Sequence, residues 1–208
     1  MIRVVCADLS RLDSADYQML YEMAGEERKA RADRCRRRED ALRCVAADAL
    51  LRYALGSDTY TVEKTPLGKP FIRGREDFHY NLSHSGNWVV MAYGDGEVGV
   101  DVERLRTNID TEALARRFFT PEEQRYMREE PDGFYWIWTG KESYLKYLGT
   151  GLTKALNSFS ILFPKPEVRI HHRILPDGSH LSLCTAEREY LFEMKDLHAI
   201  LSGDRSLP

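Results

Sequence analysis

The four cysteines, Cys6, Cys35, Cys44 and Cys184, lie far apart, with no Cys-x-x-Cys pair and no histidines at metal-finger spacing. That absence removes zinc ribbons and a disulfide framework from consideration, and it fits a reducing, cytoplasmic setting. No apolar run approaches a membrane span, and the opening MIRVVCADLS enters a strand-like alternation without a hydrophobic leader or cleavage signal. The expectation is a cytoplasmic protein with no membrane partner. An excess of one charge is also missing. A net charge of -3 argues against a protein that coats nucleic acid through a global positive field. No low-complexity linker interrupts the chain, and no Gly-x-Ser-x-Gly elbow supports a serine hydrolase.

What is present is an ordinary globular composition, 43% hydrophobic and 30% charged over 208 residues, enough for one domain or two packed halves of about 100 residues each. A strand is expected over residues 2–7 and a polar helical tract from about Ser14. A helix follows over residues 38–55, with Ala41, Leu42, Val45, Ala46, Ala49, Leu50 and Tyr53 at spacings of three and four and Gly56 as its stop. From Thr59 to Glu103 short alternating runs, FHYNLS, WVVMAY and EVGVDVE, read as a meander. The second half repeats the order, helices first and strands afterwards. Thr120-Pro121-Glu122-Glu123 forms a capping box, and a stronger helix runs over 133–148, with Phe134, Ile137, Tyr144, Leu145 and Leu148 on one face and Gly149 as its stop. SFSILF, EVRIHHRIL and YLFEMK read as further strands, with a turn at Pro176-Asp177-Gly178. The fold expected is α+β in two similar halves, residues 1–103 and 104–208.

Four segments carry possible chemistry. In Gly99-Val100-Asp101-Val102-Glu103, strand alternation sends Val98, Val100 and Val102 to the core and Asp101 and Glu103 together to the other face. Two carboxylates sharing one space invite a hard cation such as Mg²⁺, although a solvated acidic face on an edge strand would show the same pattern. Within the strong helix, Glu142 and Lys146 are neighbours at four residues, which alone describes a stabilising ion pair. Gly140 in the same helix is costly and hints at close approach by something else. Asn81-Leu82-Ser83-His84-Ser85-Gly86 places a histidine between two serines, either a polar turn or a set of donors for phosphate. The basic run from Arg28 to Arg43 is a solvated face, a nucleic-acid patch or a polyphosphate site, and Lys69 adds a cation after a turn. Gly94-Asp95-Gly96-Glu97-Val98-Gly99 matches the dinucleotide fingerprint in letters. A strand follows where that fingerprint needs a helix, so a tight turn is expected there.

Together GKP, FHYNLSHSG, VGVDVE, FFTPEE, FYWIWTGKESYLKYLGTGL and SFSI, in this order over most of residues 36–163, resemble the 4'-phosphopantetheinyl transferase superfamily, in its surfactin-type monomeric group. The resemblance implies two α+β halves related by a pseudo-two-fold, with the active site between them. It implies transfer of phosphopantetheine from coenzyme A to a serine of an acyl or peptidyl carrier protein. It also implies that Asp101, Glu103 and Glu142 hold Mg²⁺; on grounds of charge, Lys146 and His84 then help the ion neutralise phosphate, and Glu142 is the expected base, directly or through a metal-bound water. Ser83 and His84 would bind phosphate, Lys69 would lie near the nucleotide, and Arg43 would reach the 3'-phosphate, with Arg28 and Arg31 as looser matches. The arginine-bearing segment Arg104 to Phe119 would receive the carrier. Two other readings use the same residues: a magnesium-dependent nucleotide hydrolase, and a nucleic-acid-binding module on the Arg28 to Arg43 run.

Overall fold

The computed structural model describes residues 1–151 and 155–201. Strand β1 (Ile2–Asp8) lies between β5 (Trp88–Gly94) and β9 (Tyr190–Lys195), and β4 (His79–Ser85) completes the order β4-β5-β1-β9. A second sheet has the order β6-β8-β7, from β6 (Val98–Glu103), β8 (His180–Thr185) and β7 (Arg169–Ile174), all antiparallel. A two-stranded ribbon, β2 (Val62–Lys64) with β3 (Pro70–Ile72), stands apart. Sheet membership therefore changes between Gly94 and Val98, and β9 returns from the far end of the chain to pair in parallel with β1.

The helices are α1 (Ser14–Met23), α2 (Glu26–Asp33), α3 (Arg38–Leu55), α4 (Thr111–Phe118), α5 (Pro121–Glu129), α6 (Gly133–Leu148) and α7 (Leu197–Leu201). None among the described residues is long and apolar enough to cross a membrane. Alternation along β1 and β5 sorts the core into layers. Val5, Ala7, Val89 and Met91 face Val45, Ala49 and Leu50 of α3, whereas Val4, Cys6, Val90 and Ala92 meet Val98, Val100, Val102, Leu181 and Leu183 of the second sheet. The molecule is thus an α+β stack of helix, sheet, sheet and helix. Burial in this core pushes the thiols of Cys6 and Cys184 up to about 12, so neither is a nucleophile.

The helix stops lie where expected: Gly56 and Gly149 end α3 and α6 in the left-handed region, with φ of 62° and 67°. Thr120 and Glu123 form both bonds of the capping box, with Pro121 in the first turn. Three expectations differ. Leu148 is 37% exposed, at the last turn of α6 and off the core. The strand β8, entirely buried, was not among the expected strands, although Leu181 and Leu183 alternate with His180 and Ser182 just after the turn at Pro176-Asp177-Gly178. SFSILF is not a strand: a short 3₁₀ turn, Leu156–Ser158, leads into bends. There the buried ammonium of Lys141 donates to the carbonyls of Leu156 at 2.8 Å and Phe159 at 2.5 Å, so the chain wraps a cation instead of extending into a ladder.

That ammonium is also paired with Glu123 at 2.7 Å, both side chains being essentially inaccessible. Glu123 accepts from Ile161 N at 2.8 Å through its other oxygen. Gly140 is explained nearby. A Cβ there would collide with Ile161 Cδ1, so the close approach it permits is core packing, not a ligand.

Gly99 has the larger consequence. It shares the face of β6 that carries Asp101 and Glu103, and a Cβ on it would run into Ser143 O and Tyr147 N of α6. The helix therefore crosses β6 backbone to backbone at this residue. Gly99→Ala is expected to cost about 3 kcal/mol of stability or more, seen as a lower urea midpoint with an unchanged slope.

Candidate active site

Strands β4 and β6 are the facing edges of the two sheets, and they are joined without a shared backbone ladder. Asn81, Ser83 and Ser85 occupy alternate positions on one face of β4. Asn81 Oδ1 accepts from Val100 N at 3.0 Å, Ser83 Oγ from Val102 N at 3.2 Å, and Ser85 Oγ from Arg104 N at 3.1 Å. Three side chains thus stand in for the missing carbonyls. Two of them also donate to the carboxylates between: Ser83 to Asp101 Oδ1 at 2.8 Å and Ser85 to Glu103 Oε2 at 2.7 Å.

From the other side α6, lying on Gly99, delivers Glu142 and Lys146. Lys146 Nζ donates to Asp101 Oδ1 at 2.8 Å, Val100 O at 3.0 Å and Ser83 Oγ at 3.1 Å. Asp101 is only 6% exposed, and its Oδ2 is buried with no hydrogen-bond partner. Burial raises the pKa of Glu142, helped by Asp101 and Glu103, against the opposing pull of Lys146. Glu103 is raised by burial and by Asp101, while Ser85, Arg106 and Lys146 pull it down.

Among the described residues, no three His, Cys, Asp or Glu side chains form a ready metal-binding group as they stand. The donor chemistry nevertheless fits a hard cation: three carboxylates supply hard oxygen donors, Glu103 and Glu142 are both raised in pKa, and Asp101 carries an orphaned buried oxygen.

Two clefts adjoin at Pro70 and Asn81, beside this cluster. The smaller, about 180 Å³, is lined by Lys69, Glu142, Lys146 and Gly149 among others. The larger, about 650 Å³, runs between α2, α3 and β4 and carries Arg28, Arg31 and His84. Its wall is organised by Asp48, 1% exposed, which pairs with Arg52 at 2.9 Å and Arg28 at 3.4 Å and accepts from Gly25 N at 3.3 Å. His84 is held toward its neutral form by desolvation and by the charges of Arg43, Lys146 and Arg31.

Lys69 Nζ donates to Tyr147 O at 2.8 Å, at the end of α6, and pairs with Glu97. Arg43 donates to Gly86 O and to Asp40, both at 2.5 Å, and lines a separate cleft of about 410 Å³ beside α1. In the Arg104 to Phe119 segment, Ala115 and Phe119 are buried and Leu114 and Phe118 pack with them, leaving Arg104, Leu105, Arg106, Arg116 and Arg117 outward.

Residues 97–199 match the 4'-phosphopantetheinyl transferase superfamily. A 4'-phosphopantetheinyl transferase of Bacillus subtilis is 36% identical over 176 residues, 77% of this chain and 75% of its own. The chain belongs to that superfamily. Two further relatives are similar over shorter stretches. The transferase Sfp of Bacillus subtilis strain 168 is 37% identical over 144 residues, 62% of this chain and 63% of its own. HetI of Nostoc is 36% identical over 140 residues, 60% and 59% respectively. The membership covers β6, α6 and their junction, the elements that assemble the carboxylates.

Asp48 was not singled out from sequence, and Asn81 and Ser85 stood out only within a segment read for phosphate, not as partners of β6. The signals were there: polar residues at every second position of β4, and a lone acid inside the apolar run Val45-Ala46-Ala47-Asp48-Ala49-Leu50.

The raised carboxyl of Glu142 implies a pH-dependent stability without divalent cation. The folded state holds that proton more tightly than the unfolded chain. The contribution is complete below the ordinary carboxylate range and is lost as pH rises through the raised value. Glu142→Gln should therefore melt above the wild type at neutral pH, and the gap should close on acidification, as read by thermal melts across pH in chelator.

Proposed function

We propose that the protein transfers the phosphopantetheine arm of coenzyme A to a serine hydroxyl of an acyl or peptidyl carrier protein, releasing adenosine 3',5'-bisphosphate. The observation that carries this reading is the convergence of Asp101, Glu103, Glu142 and Lys146, the last two lining the smaller cleft, in a chain of this superfamily. Asp101, Glu103 and Glu142 would hold Mg²⁺. When bound, that ion would neutralise the pyrophosphate and stabilise charge on its oxygens.

The chain's own groups do the rest. Arg28 and Arg31 open on the larger cleft together with His84, so the nucleotide and its 3'-phosphate belong there. His84, kept neutral, donates a hydrogen bond to phosphate without repelling the neighbouring cations. The serine oxygen bonds to the β-phosphorus as the bond to the bisphosphate oxygen breaks. Glu142 accepts the hydroxyl proton, directly or through a water held at the site. Lys146 places positive charge beside the pyrophosphate. Ser83 serves from below, through Asp101, its hydroxyl being committed there. Lys69 aligns α6 by bonding its last turn. The outward arginines of the 104–119 segment, directly after the carboxylate strand, suit an acidic carrier. The protein acts as a cytoplasmic monomer in this reading.

Mass spectrometry of a carrier protein incubated with coenzyme A and Mg²⁺ is expected to show the gain of one phosphopantetheine. Asp101→Ala should abolish the gain while the protein stays folded, and Glu142→Gln should lower kcat by roughly 100-fold or more with little change in KM for coenzyme A. Consumption of coenzyme A without modified carrier would instead mark a hydrolase.

A calorimetric comparison tests the nucleotide cleft. Arg31→Ala is expected to weaken coenzyme A roughly tenfold and dephospho-coenzyme A much less, because only the former carries the 3'-phosphate. Arg43→Ala, measured alongside, decides whether that residue leaves Asp40 and Gly86 to join the phosphate: equal weakening of both ligands removes it from that role.

A further inference from the structure

Ser85 stands where the two sheets and the carboxylate cluster meet, and nothing in the chemistry above uses it. Its hydroxyl is 6% exposed by residue and turned away from solvent. It makes two bonds at once, accepting from Arg104 N at 3.1 Å and donating to Glu103 Oε2 at 2.7 Å. With the Arg104 N–H accepted on one lone pair, the hydroxyl proton is left to donate to Glu103. The same Glu103 oxygen is contested. Arg106 Nη2 approaches it to 3.5 Å from the solvent side, with the arginine half exposed. Without the hydroxyl, the one hydrogen-bond partner of the Glu103 carboxylate among the described residues is Arg106, 3.5 Å away and half exposed to solvent.

We infer that Ser85 is a positioning residue: it holds the Glu103 carboxylate inward, toward Asp101 and against the pull of Arg106, in the orientation needed to bind a divalent cation. The inference rests on the metal reading proposed above. It differs from the phosphate role suggested by the neighbouring Ser83-His84 pair, because the Ser85 side chain faces β6 and not the nucleotide cleft. His84, one residue earlier, faces that cleft, and alternation along β4 separates the two roles.

The probe is manganese(II), titrated into the full-length protein with coenzyme A and no carrier, with free metal read by electron paramagnetic resonance. Ser85→Ala is expected to bind the metal about tenfold more weakly, the scale of losing a group that orients a ligand. Ser85→Thr, which retains the hydroxyl, should bind within about twofold of wild type by the same comparison. In a Glu103→Ala background, Ser85→Ala should cause no further loss, since a group acting only through Glu103 has nothing left to orient. If Ser85→Ala does not fold, Ser85→Cys takes its place with the same expected loss, its thiol being a weak donor. A lower melting temperature with unchanged metal affinity would overturn the inference and leave Ser85 as a strand clasp. Additive losses in the Glu103→Ala background would overturn it as well. Asp101→Ala separates the two levels of argument. Undiminished metal binding in that variant sinks the metal reading and this inference together, whereas loss there with none in Ser85→Ala sinks the inference alone.

Discussion

Two β-sheet edges that run side by side must satisfy their backbone groups somehow, and here β4 and β6 do so through side chains. Asn81, Ser83 and Ser85 reach across in register, each accepting from one N–H, those of Val100 and Val102 in β6 and of Arg104 just past it. A backbone ladder would have merged the sheets and filled the gap between the strands. The side-chain junction keeps the edges apart by the length of a serine and lines the gap with hydroxyls. Carboxylates on β6 then sit beside donors that are already fixed, so the polar cluster is oriented before any ligand arrives. Sheet packing behind it, with Val100 and Val102 against Val90 and Ala92, supplies the rigid base.

The second requirement is the crossing of α6 at Gly99. Only a residue without a side chain lets the helix backbone meet the strand there. The helical spacing of Glu142 and Lys146 then carries both beside Asp101, one charge of each sign. Lysine satisfies one oxygen of Asp101 and leaves the other bare. Within the protein alone the cluster is an unfavourable arrangement of acids, with Glu103 and Glu142 both resisting ionisation. Such an arrangement persists when the surrounding packing over-determines it. Here the stiff junction below and the helix above do so. The buried Glu123–Lys141 pair anchors the far side of α6, at the residue next to Glu142.

Much of the local structure was legible before any coordinates. The bounds of α3 and α6, the capping box at Thr120, the glycine stops and the turn in place of a dinucleotide loop all follow from short-range stereochemistry. The face of β6 followed from alternation, and its acids stood out because they interrupt valines. Lys141, Glu123 and Asp48 were harder. Each reads from sequence as a surface charge on a helix, and each is buried because distant chain segments bring it a partner. SFSILF misled for the same reason, its apolar alternation being spent on α6 while Lys141 takes the carbonyl of Phe159.

By itself, then, the sequence determined the elements, the acidic face of β6 and, through its motifs, the resemblance to a transferase family, because these depend on neighbours within a few residues. Only the tertiary structure decided which sheet each strand joins. It decided that β9 returns to β1, that Lys69 bonds the end of α6, and that Arg43 pairs with Asp40 and Gly86 beside a different cleft from His84. It also turned the serines of β4 from a polar turn into the clasp beneath the carboxylates. Those outcomes depend on which groups lie across space with unsatisfied donors and acceptors. Local propensity carries no information about a partner that is 18 or 19 residues away, as Asp101 is from Ser83 and Val102 is from Ser83.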